Sequence, residues 1–234
     1  MTESERTVLQ PGIESAGARW VVLFCDARAK LCPISDFIEE CRAAHQIKLL
    51  HILELLEQLG PGLPRPYADT LRDGVHELRV KLSGEQIRML YFFCYERYIV
   101  FYAVLRKHTD RVPARYIEAT RHYREEFLQR VDRSQLEAMK HGHPREHLAV
   151  KLSDVEFRES YGNWCEACAR TMEVIGRIHE RGATVEELAQ QVGIEPARVA
   201  AFIDAERCEY EVISSLCAHF GLTPPADCPR KNPR

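Results

Sequence analysis

The residues of this chain best suited to chemistry are cations set in β-forming sequence: Arg79, Lys81, Arg88, Arg106 and Lys107, with His108 after them. A guanidinium cannot shed its charge at accessible pH, so an arginine half-buried in a strand requires an anionic partner. Two partners are open. Glu77, Glu85 or a helix carboxylate can neutralise Arg79 and Arg88 internally. Alternatively, the cations form a cradle for a phosphate, since the guanidinium fork matches phosphate oxygens and can stabilise charge growing on them in a transition state.

The elements that must position these groups can be read from pattern. His76 to Leu82 alternates, placing Leu78, Val80 and Leu82 on one face and Glu77, Arg79 and Lys81 on the other. Ser83-Gly84-Glu85-Gln86 supplies turn chemistry, Ile87 to Phe93 reads as a second strand, and Tyr98 to Leu105 as a third. Trp20 to Cys25 predicts a first strand. Pro33 to Arg42 and the leucine-rich Ile47 to Leu59 predict helices, the second ended by Gly60. Pro61, Pro64 and Pro66 forbid helix, and Pro113 opens a last helix with Ile117, Thr120, Tyr123 and Phe127 facing the sheet. The order is strand, two helices, three strands, helix.

Three blocks in that order carry a resemblance: Leu71-Arg-Asp-Gly-Val-His-Glu-Leu-Arg79, Arg88-Met-Leu-Tyr-Phe-Phe93, and Arg106-Lys-His-Thr109 with Pro113 beyond. From Trp20 to Phe127 the chain resembles the HigB branch of the RelE/ParE toxin superfamily. Such proteins are small α/β toxins, many of which cleave messenger RNA in the ribosomal A site. The resemblance implies a metal-independent endoribonuclease with the ribosome and mRNA as partners, because the ribose 2′-hydroxyl beside the scissile phosphate serves as nucleophile. It places phosphate-binding roles on Arg79, Arg88 and Lys107, with Lys81 and Arg106 as further RNA contacts. His108 is the candidate general acid or base, or else a solvated loop histidine. Tyr116 is a candidate for proton transfer or base stacking, or else a core tyrosine. Departures from the family pattern are Glu77 and Glu85 beside the cations, and His108 in place of a second lysine.

The remaining chain reads as a second unit. Arg65 to Arg130 holds 13 Lys/Arg against 9 Asp/Glu, a balance of +4, whereas Val131 to Thr223 holds 10 against 16, a balance of -6. Thr184 to Ile203 contains a capping box at Thr184 and Glu187, a turn at Gly193 and a new helix at Pro196. This stretch resembles the helix-turn-helix of Xre-type antitoxins, and Leu152 to Arg158 the lead-in of HigA-like partners. The resemblance would put Thr184, Ala197 and Arg198 against operator DNA. Arg198 is nearly alone on that face, and the acidic balance opposes phosphate binding. Holding the first domain is the role then left to this unit.

Cys165-Glu-Ala-Cys168 has the spacing of a zinc or redox pair, but no second ligand pair follows in sequence and no βαβ context surrounds it, so two small helix residues describe it better. His141 and His143 read as solvated linker. Nine cysteines without an export signal read as reduced thiols, no stretch is long and apolar enough to span a membrane, and the chain is expected in the cytoplasm, with no cofactor or metal. The fold class expected is α+β: an arm (1–18), a RelE/HigB-like domain (19–130), a linker (131–150), an all-α HigA/Xre-like helix-turn-helix domain (151–223) and a tail (224–234). A homodimer stays open. The leading expectation is a toxin–antitoxin fusion with the antitoxin-like part acting in cis. The alternative is a non-enzymatic DNA-binding regulator that uses the toxin-like fold as an interaction module, and a gyrase poison of the ParE kind is the third reading.

Overall fold

The computed structural model describes residues 20–24, 33–106, 111–138, 144–204 and 209–226. The arm, Lys107, His108, His141, His143 and the end of the tail lie outside them. The first part is a mixed five-stranded sheet: β1 (Val21–Leu23), β2 (Ala68–Thr70), β3 (His76–Leu82), β4 (Glu85–Cys94) and β5 (Tyr98–Arg106) in the order β1-β5-β4-β3-β2. β1 runs parallel to β5 and the other neighbours are antiparallel.

Helices cover both faces of this sheet. α1 (Pro33–Glu40) and α2 (Ala43–Leu59) lie on one, where Leu78, Val80, Ile87, Met89 and Tyr91 point into a core shared with α2. α3 (Ala114–Arg130) lies on the other, with Tyr123 and Phe127 against Phe92 and Ile117 against Leu90. The alternation of β3 and β4 decides which side chain meets which layer. On the α3 side it leaves Arg79 and Arg88 directly opposite each other, at the middle of β3.

The stretch expected as linker carries two short helices, α4 (Arg133–Ala138) and α5 (Pro144–Lys151). Pro144, within that stretch, begins α5, as suits a residue whose missing N–H would be unsatisfied there anyway. α6 (Val155–Arg181) follows, capped by Asp154, whose carboxylate accepts from the Phe157 amide at 2.8 Å. The helix-turn-helix is α7 (Val185–Val192) and α8 (Pro196–Ile203), closed by α9 (Tyr210–Phe220). The Thr184–Glu187 capping box is formed in both directions, and Gly193 makes the turn at a positive φ of 68° that a Cβ would disfavour.

α6 belongs to two cores at once. Phe157, Tyr161 and Cys168 pack into the cluster built on α2 and the sheet, while Ala167, Val174, Ile175 and Ile178 pack with α7, α8 and α9. The architecture is thus α+β, a sheet with helices followed by a helical region. No helix among the described residues is long and apolar enough to cross a membrane.

Candidate functional site

The strand pairing brings Arg79 and Arg88 together, and Glu77 holds both. Arg79 donates from Nε to one Glu77 carboxylate oxygen at 2.8 Å, and Arg88 donates from an η nitrogen to the other at 2.5 Å. Glu77 is 1% exposed and Arg88 5%, so this pair is a buried neutralised charge. A second η nitrogen of Arg79 lies 3.5 Å from Asp69 on the edge strand. Of the two openings left by the sequence, internal pairing is the one this geometry realises. The Arg79 side chain keeps 28% exposure and can reach solvent, whereas that of Arg88 keeps 7%.

The other expected residues divide between the two faces. Leu105, not Arg106, is opposite Arg88, so the period of the strand sends Arg106 to the α1 side. There it lies 5.9 Å from the Phe37 ring and pairs with Glu85 at 3.0 Å. Arg106 is therefore not gathered with Arg79 and Arg88. Tyr116, in the first turn of α3, packs beside Leu90 and Leu105 on the Arg88 side, with the Arg115 guanidinium 4.9 Å from its ring. Lys107 and His108 follow Arg106 outside the described residues.

At the open end of β3, beyond the short partner β2, a small cleft is lined by Lys48, Tyr67, Arg79, Lys81 and Gln86 together with Asp204. Asp204 caps α8. An acidic residue of the helix-turn-helix is therefore set beside the cations of β3. Lys48 reaches the same strand from α2, donating to the Lys81 carbonyl at 2.9 Å, and its ammonium lies 5.5 Å from the Trp164 ring of α6.

On the helix-turn-helix, Arg198 is engaged by Glu209 at 2.7 Å and Glu211 at 2.6 Å, which raise its pKa above the ordinary arginine value. The Thr184 hydroxyl oxygen accepts from the Glu187 amide, a cap that uses a lone pair and not the O–H donor, and Ala197 is exposed without offering a polar group. The recognition helix thus presents a neutralised arginine in acidic surroundings.

A second cluster escaped the sequence reading. His51 and Glu54 of α2 face Cys165 of α6: the Cys165 Sγ lies 3.1 Å from His51 Nδ1, which lies 3.7 Å from a Glu54 carboxylate oxygen. The same oxygen accepts from the Tyr161 hydroxyl at 2.8 Å. The partner pair missing for Cys165 and Cys168 comes from a helix more than a hundred residues earlier. The available signal was His51 and Glu54 at i, i+3, polar residues on one side of a helix otherwise dominated by leucine.

Two family models match separate stretches of the chain. Residues 36–125 match the family of phage-derived Gp49-like proteins (DUF891), and residues 176–227 match the Cro/C1-type helix-turn-helix DNA-binding domain. No curated protein matches the chain.

Proposed function

We propose that the chain is a toxin–antitoxin fusion held in its silent state, a RelE/HigB-like sheet domain restrained in cis by a HigA-like helical part. The observation that carries this reading is α6, which is built into the cores of both parts, so that the helical region is packed on the sheet domain rather than merely tethered to it. Tethering alone gives a local concentration on the order of millimolar, and the shared core adds apolar burial to it. The Gp49-like match on the sheet domain and the Cro/C1-type match on the helical part support a two-part reading.

The activity we assign to the released sheet domain is cleavage of mRNA on the ribosome, by attack of a ribose 2′-hydroxyl on the adjacent phosphate. For this, Arg79 and Arg88 must exchange the Glu77 carboxylate for an RNA phosphate. Arg79 can make that exchange from its half-open position. Arg88 can do so only when the β3–β4 pair opens, so the carboxylate clamp is a second layer of silence. His108 and Lys107 remain the candidates for proton transfer and phosphate contact.

A second reading is favoured by one observation: Glu77 belongs to the sheet domain itself, and removing the helical part does not remove the clamp. In that reading the sheet is a non-catalytic interaction module of a DNA-binding regulator. Splitting the chain between Ala138 and Pro144 separates the two. Residues 1–138 expressed alone arrest growth, co-expression of 144–234 relieves the arrest, and the full chain is harmless. A folded, harmless 1–138 fragment would assign the regulator instead, whose positive sign is retention of its own promoter DNA by the full chain in a mobility assay.

A further inference from the structure

We propose that His51, Glu54, Cys165 and Cys168 form a zinc site that staples α6 to α2, and hence the helical part to the sheet domain. Zinc bonded to nitrogen, oxygen and sulfur at roughly 2.0–2.3 Å holds tetrahedral ligand atoms about 3.3–3.8 Å apart. The Cys165 Sγ to His51 Nδ1 and His51 Nδ1 to Glu54 oxygen edges measure 3.1 and 3.7 Å, and one ligand atom from each of the three residues lies within 4.8 Å of the others. Cys168, one turn beyond Cys165 on the same helix, lies outside that set of three and would complete it as fourth ligand by turning its sulfur toward the ion. Its sulfur lies 3.9 Å from the Tyr67 hydroxyl. Both pairs have i, i+3 spacing, which puts each pair on one helix face.

The surroundings call for a cation. A thiol and a carboxylate converge on a histidine that is 6% exposed, and a second thiol stands one helical turn from the first. A metal ion on Nδ1 would supply positive charge, leave the ring neutral with its proton on Nε2, and take the sulfurs as thiolates, as soft ligands prefer. The Tyr161 hydroxyl, bonded to the Glu54 oxygen, orients that carboxylate as outer hydrogen bonds do in metal sites.

The full chain, purified under reducing conditions and reconstituted with zinc, is expected to hold one zinc ion per chain by elemental analysis. Cobalt in its place should give the thiolate-to-metal absorption of a tetrahedral sulfur-ligated site. Cys165→Ser should abolish that absorption and weaken zinc binding at least tenfold, and Glu54→Gln, at a partly exposed position, gives the same direction without emptying the core. Chelation should lower the melting temperature of the wild type and leave that of Cys165→Ser unchanged. Zinc no higher than background in the reconstituted wild type, no cobalt–thiolate absorption, or zinc that survives Cys165→Ser would each overturn the site.

Discussion

Glu77 is the residue on which the chemistry of the sheet turns. It accepts from two arginines on neighbouring strands and is sealed from water, so its removal strands a buried guanidinium. Breaking such a pair by deleting one partner costs about 3–5 kcal/mol, most of it the penalty of the charge left behind. Glu77→Gln is therefore expected to lower the unfolding free energy of the full chain in urea by that amount, while Glu77→Leu combined with Arg88→Met recovers most of it. A single-variant loss below about 1 kcal/mol would mean that Arg88 finds another anion, and the clamp would lose its importance. The sequence announced a carboxylate and two cations on one face of β3 and β4. It did not decide between internal pairing and an open cradle, because that choice depends on how far β4 is buried by its neighbours.

At the level of elements, legibility followed the strength of local pattern. β3 spans His76–Leu82 as alternation predicted, and α2 and α3 end where Gly60 and Arg130 end their periods. β2 was invisible: Ala-Asp-Thr has no strand signal of its own and exists through pairing with Leu78, Glu77 and His76. The clustering of Cys165 with His51 was illegible for the same reason, being a product of α6 crossing α2. In the helix-turn-helix the capping box was plain, and what it implies is structural before it is functional. Thr184→Ala should cost about 1 kcal/mol by releasing the Glu187 amide, measured as a fall in the denaturation midpoint. Its effect on any DNA retention should be no larger than that instability explains, since the exposed face of the motif offers little positive charge to hold a phosphate. A DNA-binding defect in a variant of unchanged stability would show that Thr184 does contact the phosphates.

For the molecule as a whole, the consequence of α6 is cooperativity. A helix-turn-helix joined to a sheet domain by a plain tether would melt by itself, and the two parts would report different midpoints. Here the helix that carries Tyr161 into the sheet-side core also carries Val174 and Ile178 into the other, so unfolding either end exposes apolar surface at both. Two tryptophans make this measurable. Trp20 packs on Phe93 of the sheet, and Trp164 lies on α6. With Trp164→Phe the fluorescence reports the sheet, with Trp20→Phe it reports α6, and amide exchange across α9 reports the helix-turn-helix. The three midpoints, each corrected for the shift its own substitution causes, should coincide in urea. If α9 exchanges freely before Trp20 responds, the helical part opens independently, and restraint of the sheet domain would have to come from the α2–α6 contact alone. Coincidence instead means that the helical part cannot let go without a global transition. In that case cutting the chain between Ala138 and Pro144 would leave the halves associated.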